Sequence, residues 1–435
     1  MIDIPTGNTA SALALQFRLQ QTQTLPLKEQ SRLVDQRLTQ LLQHALQTVP
    51  YYRNHPEIIR MQGKIDWQRF PILTRANLQK AGTSLQSESP PESHGKAYEF
   101  RSSGSTGRPV VSYSSDYAQM FWRAQTVRDH LWAGRDLSGH MAAIKYQAPE
   151  KARYPGVSQG HWGPASATLG YSGKMSTLNS IEPLELQYRW LTEIQPDYLL
   201  TYPSNLLELA KIHRRMGAQL SLKGISTLGE TLTPEMRQYC RTAFSCRVAD
   251  MYSSQEMGYM ALQCPRHDHY HIQLENCIVE ILDDNNAPCR PGQTGRVVVT
   301  SLQNYIMPLL RYEIGDYAIA GAGCDCGITL PVIKRVIGRT RNLVKYPDGR
   351  KSWPSYNPMA LMDLVPDAQF QLEQVSATGI VVHLVSDNPP DKAREKQMMG
   401  IIQEAMGYPF DIEIRITNEI PRAASGKFEE FVCRI

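Results

Sequence analysis

The run "RSSGSTGRPVV", Arg101 to Val111, has the glycines and hydroxyls of a loop that wraps phosphate. Gly104 and Gly107 leave backbone N–H groups accessible, and Ser102, Ser103, Ser105 and Thr106 add hydroxyls, which together form a concave donor surface for phosphate oxygens. The lysine of a Walker loop is missing. Arg108 follows Gly107, and Pro109 cannot sit inside the second turn of a helix. The phosphate chemistry is therefore not that of a Walker protein, and its lysine has to come from elsewhere in the chain.

Four further stretches carry groups suited to a nucleotide. In "MYSSQEMGYMA", Tyr252 offers a ring for a base, and Glu256, just after a strand-like run, offers a carboxylate for Mg2+ bridging phosphates. In "LRYEIGDYA", Asp316 after Gly315 suits two hydrogen bonds from vicinal ribose hydroxyls. In "VIGRTRNLV", Arg339 is placed to reach a phosphate or ribose, and in "IPRAASGKFEEFV", Lys427 follows Ser-Gly in an expected exposed loop. Each also has an ordinary structural reading when taken singly: a Gly/Ser surface loop, a buried turn glutamate, a turn aspartate, a solvated lysine.

A different chemistry is suggested by "CPRHDHYH" and the much later "CDCG". Cys264, Cys324 and Cys326 with one imidazole make a tetrahedral Zn2+ set, and a closed four-ligand site is structural. Among the histidines, His271 is preferred because it starts the strand-like "HIQLENCIVEIL" and should be held rigidly; His267 and His269 are the alternatives. The Cys-x-Cys spacing is shorter than the usual Cys-x-x-Cys, so free thiols beside a polar histidine loop is the competing reading. Cys240, Cys246, Cys277, Cys289 and Cys433 have no such company and are expected to pack as small apolar residues.

Rigid elements must position these groups. Leu33, Leu38, Leu41, Leu42, Ala45, Leu46 and Val49 fall at helical spacing over 28–49, and the run stops at Pro50. From about 97 to 340, "DYLLTYP", "LLELAKIHRRM", "GISTLGE", "TPEMRQYC" and "CRVADMY" alternate strand and helix, which predicts an α/β fold with a mostly parallel sheet. "CIVEILDD" and "GQTGRVVVTSL" predict an antiparallel addition. After Gly338 the pattern restarts with "FQLEQV", "GIVVHLV", "KQMMGIIQEAM" and "FDIEIRI", a small α+β unit. The expected domains are 1–339 and 340–435, with the boundary near Arg339 to Asn342.

The five nucleotide stretches, in this order and at these intervals, resemble the adenylate-forming enzymes: acyl-CoA synthetases, adenylation domains and luciferases. "VPYYRNH", "FPILTRANL" and the ending "GKFEEFV" resemble the phenylacetate-CoA ligase branch and its capsular-polysaccharide-associated relatives. The resemblance implies that Ser102 to Gly107 grip the ATP β- and γ-phosphates, that Gly229 and Glu230 border the adenine, and that Tyr252 stacks near it. It implies that Glu256 holds Mg2+, Asp316 binds the ribose, Arg339 sits close by, and Lys427 enters from a mobile C-terminal domain to contact carboxylate and α-phosphate. The hinge is Asn342, usually Asp in the family; Gln255 and Ser253 also depart from the usual Thr and Gly. Some members of the branch carry zinc at a similar Cys, His and Cys-x-Cys place.

The implied activity is an AMP-forming acid–thiol ligase: a small carboxylic acid, aryl or polar by preference, is adenylated and passed to a thiol of CoA or of a carrier protein's phosphopantetheine. That preference comes from the segment "YQAPEKARYPGVSQGHWGPASATLGYSGKMS", whose Tyr, Trp, His and Lys residues are less apolar than a fatty-acid tunnel requires. The departures leave one alternative, a zinc-stabilised nucleotide-binding scaffold without turnover, and the resemblance to capsule-associated relatives leaves another, an adenylating enzyme with an amine or hydroxyl acceptor. The resemblance also implies a homodimer.

The bulk of the chain agrees with small ligands. Its 435 residues, 42% hydrophobic, can bury a large core, and a net charge of +4 asks for neither nucleic acid nor an anionic membrane. No apolar run approaches the ~20 residues of a bilayer helix, and eight cysteines are too sparse for a disulfide scaffold, so a cytoplasmic protein is expected.

Overall fold

A computed structural model describes residues 6–61, 65–101, 110–167, 172–339, 343–352, 354, 358–366, 368–421 and 428–435. The stretch Ser102 to Gly107, the expected hinge Asn342 and Lys427 lie outside the described residues. The chain divides into two compact units, one of residues 1–141, 158–176 and 249–336, the other of residues 142–157, 177–248 and 337–435.

In the first unit the helix Leu27–Thr48 forms where its apolar spacing predicts, with Leu41 and Ala45 fully buried. It stops because Val49, next before Pro50, is extended (φ −107°, ψ 109°), the conformation a following proline imposes. Its buried stripe packs into a core with Tyr52, Phe70, Val297, Val299, Leu310 and Ile333. Truncating Leu41 to Ala there costs about 2–5 kcal/mol.

The strands of this unit lie in the order Cys277–Leu282, Thr294–Ser301, Tyr312–Ala320, Val332–Arg339, Tyr270–Ile272, Gly258–Gln263, Arg247–Ser254. The expected antiparallel hairpin is present, with Cys277 opposite Ser301 and Leu282 opposite Arg296. It is only part of a longer antiparallel run, since Tyr270–Ile272 pairs antiparallel with both neighbours and Arg247–Ser254 with Gly258–Gln263.

The second unit holds the alternating strands and helices. Gly224–Leu228, Tyr198–Thr201, Met141–Lys145 and Met175–Asn179 are neighbours in that order, and the first two are parallel, Thr201 opposite Thr227. Parallel strands need a crossover, and Pro203–Arg215 supplies it. The next helix, Pro234–Phe244, starts on Thr233, whose side chain accepts from Met236 N, with Pro234 in the first turn.

The same unit contains a four-stranded sheet in the order Asp411–Ile416, Gly379–Val385, Gln369–Gln374, Phe431–Cys433. Alternation turns Phe370, Leu372 and Gln374 inward, and the helix Lys392–Met406 adds Met398, Ile402 and Met406 at four-residue steps. Asp391 caps that helix by accepting from Arg394 N at 2.8 Å, and Gly407 (φ +61°) ends it. Leu206, Leu209, Ile225 and Met236 belong to the same core as Leu372, Val382 and Ile402. Among the described residues no helix is long and apolar enough to cross a membrane.

Candidate functional site

Tyr252 and Asp316 are 64 residues apart in sequence, and the Tyr252 hydroxyl donates to Asp316 Oδ2 at 2.8 Å. Both residues sit at irregularities of their strands. Tyr317 is opposite Arg296 and Glu313 is opposite Val298, so Ile314, Gly315 and Asp316 together face the single residue Val297. Gly315, at φ +88°, supplies the left-handed turn this excursion needs. On the other strand the register shifts between Tyr252 and Ser253. Bulges re-aim side chains, and these two bring ring hydroxyl and carboxylate together. Tyr252 is buried, its ring packed in the core with Met257 and Met260, and its hydroxyl holds Asp316 Oδ2.

Glu256 is half-buried in the turn between Arg247–Ser254 and Gly258–Gln263. Three contacts fix that turn. Met257 N donates to Ser254 Oγ at 3.1 Å, and the buried Asn276 donates from Nδ2 to Met257 O at 2.9 Å and to Tyr259 O at 2.8 Å. Asn276 escaped the sequence reading because a single asparagine between strands carries no pattern. Arg339 closes the strand Val332–Arg339.

Gly229 (φ +78°) and Glu230 follow the strand Gly224–Leu228. Glu230 Oε2 accepts from Ser204 N at 3.0 Å, in the first turn of Pro203–Arg215, where a carboxylate meets unsatisfied N–H groups and the positive helix end. Its other oxygen, Oε1, accepts from Phe428 N at 2.7 Å. Close by, Lys211 Nζ donates to Glu208 Oε1 at 2.8 Å and to Ala368 O at 2.9 Å. Glu430 completes this acidic group; burial, and then the charge of Glu230, push its carboxyl up to about 7. Glu208, Lys211 and Glu430 were not expected: Glu208 and Lys211 are only an i,i+3 pair on one helix, and nothing in the sequence brings Glu430 to them.

The cysteine–histidine set assembles in the first unit. The ligand atoms of Cys264, His271, Cys324 and Cys326 all lie within 4.8 Å of one another. Cys264 Sγ is 3.7 Å from Cys324 Sγ, and Cys326 Sγ is 3.3 Å from His271 Nε2. Tetrahedral Zn–S bonds of ~2.3 Å put two sulfurs about 3.8 Å apart, so the donors already stand at coordinating separations.

The histidine choice has a physical basis. His271 Nδ1 lies 3.0 Å from Leu330 O, an acceptor, which places the proton on Nδ1 and leaves the Nε2 lone pair facing the sulfurs. Burial lowers its pKa to about 4, so it is neutral near pH 7. His267 turns to Asp325 instead, Nε2 to Oδ1 at 2.5 Å, and His269 Nε2 is buried with no hydrogen-bond partner among the described residues. Three main-chain N–H groups donate to the thiols at 3.4 Å: Arg266 to Cys264, Cys326 to Cys324, Ile328 to Cys326. Burial and the neighbouring thiols push Cys326 up to about 12, a set that ionises together only around a cation. The donor set fits zinc.

Comparison with known proteins agrees with this architecture. Residues 360–434 match the family model described as the CapK C-terminal domain. A phenylacetate-coenzyme A ligase of Thermus thermophilus is 25% identical over 338 residues, covering 74% of this chain and 73% of that protein. Protein CapK of Staphylococcus aureus is 23% identical, covering 76% and 73%. Among solved structures, 2-hydroxyisobutyryl-CoA ligase in its postadenylation state, in complex with R3-HIB-AMP, superposes with a TM-score of 0.71 at 18% identity, covering 95% of this chain and 91% of that one. The chain is thus a distant relative of proteins named phenylacetate-coenzyme A ligase and CapK, and it has the fold of an adenylate-forming ligase.

Proposed function

We propose that this chain is an ATP-dependent, AMP-forming ligase that adenylates a small carboxylic acid and passes the acyl group to the thiol of CoA or of a carrier protein. The observation that carries the reading is the Tyr252–Asp316 contact, which joins two of the nucleotide stretches at 2.8 Å through paired strand irregularities. Distant relationship to phenylacetate-coenzyme A ligases and a shared fold with 2-hydroxyisobutyryl-CoA ligase support it.

In this reading Asp316, oriented by Tyr252, accepts the ribose hydroxyls, and Glu256, on its clamped turn, is the ligand for Mg2+. Arg339 lies by the ribose or phosphate, Gly229 borders the adenine, and Ser102, Ser103, Gly104, Ser105, Thr106 and Gly107 steady the departing pyrophosphate. An oxygen of the acid's carboxylate attacks the α-phosphorus, the bond to pyrophosphate breaks, and charge builds on the phosphoryl oxygens. Lys427 meets that charge, stabilising the transition state more than the ground state. A thiolate then attacks the acyl carbonyl and AMP leaves. Asn342 is the hinge for the intervening rearrangement.

Cys264, His271, Cys324 and Cys326 would hold a structural zinc. An aryl or polar acid is favoured by the segment from Tyr146 to Ser176, whose Tyr, Trp, His and Lys residues a fatty-acid tunnel does not require. Pyrophosphate exchange with a panel of aryl, hydroxy, amino and fatty acids tests the proposal. An acid that supports exchange in the wild type, with a loss of at least about a hundredfold in Lys427→Ala, is expected. No exchange with any acid, or full exchange in the variant, refutes it.

A further inference from the structure

We propose that Glu230 is a positioning residue that seats the segment following Lys427, holding the Phe428 N–H on one carboxylate oxygen while the other oxygen is fixed on the helix Pro203–Arg215. The inference rests on Lys427 being the lysine of adenylation.

Both oxygens of Glu230 are committed to main-chain donors, Oε2 to Ser204 N and Oε1 to Phe428 N. Ser204 N lies in the first turn of a helix of 13 residues, where a main-chain N–H looks outside the helix for an acceptor, and Glu230 Oε2 is an acceptor it meets. On its far side the segment is tied to the strand Gln369–Gln374. Gln371 Nε2 donates to Glu429 O at 2.7 Å, and Leu372 N donates to Glu430 O at 2.8 Å. Residues 428, 429 and 430 thus each have a main-chain atom in a hydrogen bond, and the one at Phe428 is made by Glu230, a residue outside the C-terminal sheet.

Lys427 is one peptide unit, ~3.8 Å, from the residue Glu230 holds. Where Glu230 holds Phe428, the starting point of the Lys427 side chain is set by a carboxylate anchored on a helix end. The resemblance places Glu230 at the adenine border. A residue there that touches the nucleotide sets ATP affinity; one that seats the lysine segment sets the rate. A shift of about 1 Å at a reacting group costs roughly a hundredfold, so the seat has leverage without touching substrate.

Hydrogen exchange on the full chain, read by mass spectrometry at the Phe428 amide, tests the seat directly. In Glu230→Ala this amide is expected to exchange roughly tenfold to a hundredfold faster than in wild type, and in Glu230→Gln, which keeps one acceptor oxygen, to fall between. Unchanged protection in Glu230→Ala overturns the proposal; if that variant fails to fold, wild-type protection of both the Phe428 and the Ser204 amides in Glu230→Gln, which has only one acceptor oxygen for the two, overturns it equally. With the acid found in the exchange panel, Glu230→Ala should lower kcat about a hundredfold with the KM for ATP within about twofold, and Glu230→Gln should recover much of the rate. A raised KM for ATP with kcat intact assigns Glu230 to the nucleotide and refutes the seat. Protection of Phe428 that depends on Glu230 in a protein showing no exchange with any acid sinks the ligase reading alone.

Discussion

The hydroxyl of Tyr252 and the carboxylate of Asp316 touch at 2.8 Å although their strands are four positions apart in the sheet order. In a flat sheet, strands spaced ~4.8 Å apart would hold them roughly 19 Å from one another. The antiparallel sheet must therefore curl, and the curl brings two nucleotide stretches together. Losing the hydroxyl in Tyr252→Phe removes a hydrogen bond to a charged group, worth about 1.5–3 kcal/mol. The expected result is a KM for ATP raised roughly tenfold with kcat little changed; steady-state kinetics at saturating acid checks it.

The carboxyl of Glu430 gives the protein a pH-dependent stability. Its folded pKa, pushed up to about 7 from 4.5 by burial and then by Glu230, lies above its unfolded value. The full stability is therefore present below about pH 4.5 and is lost as pH rises to about 7. Allowing for the residue's partial exposure, the loss is about 2 kcal/mol. Denaturant melts at a series of pH values should show Glu430→Gln gaining on wild type across that window, and parallel pH curves for the two would contradict this origin.

Zinc analysis separates the histidines. One zinc per chain is expected, lost in Cys326→Ser and in His271→Ala and retained in His267→Ala and His269→Ala. Chelation should lower Tm, because a structural site contributes its binding free energy to folding. Elemental analysis of purified protein together with melting curves checks both; retention of zinc in His271→Ala would move the fourth ligand elsewhere.

Arg128 and Glu275 form an ion pair, each almost wholly shielded from solvent, with Arg128 Nη2 to Glu275 Oε1 at 2.9 Å, and Nη2 also donates to Leu19 O in the helix Gly7–Thr22. Removing one partner strands a buried charge, so Arg128→Ala should cost about 3–5 kcal/mol in urea unfolding. Limited proteolysis should then cut first within residues 7–22, the helix that loses its anchor.

Strand and helix positions were legible wherever burial follows a period. The 28–49 helix and the strands "DYLLTYP", "GISTLGE" and "FQLEQV" fall where their apolar spacing predicts. The Tyr252–Asp316 contact was legible only as two separate residues, because a register shift has no composition. His271 was favoured over its neighbours because it starts a strand, and the carbonyl that orients it, Leu330 O, is main chain and invisible in residue types. The resemblance puts Glu230 beside an adenine, and its hydrogen bonds to the backbone N–H groups of Ser204 and Phe428 are announced by no side-chain pattern. Of the antiparallel run the sequence shows only the edge hairpin, where two β-branched strands, "CIVEIL" and "RVVVTS", are joined by a Gly- and Pro-containing turn, whereas Tyr270–Ile272 is only three residues long.

The excursion at Gly315 also preserves parity. Tyr312 before it and Ala318 and Ala320 after it are all buried, so even-numbered residues face inward on both sides. Asp316 shares that parity, and in a regular strand it would point into the core. Three residues facing one leaves the alternation in phase beyond the bulge, so the carboxylate is diverted without turning the rest of the strand inside out. Losing one residue here would flip every side chain on one flank, whereas losing two would restore a regular strand and bury the acid.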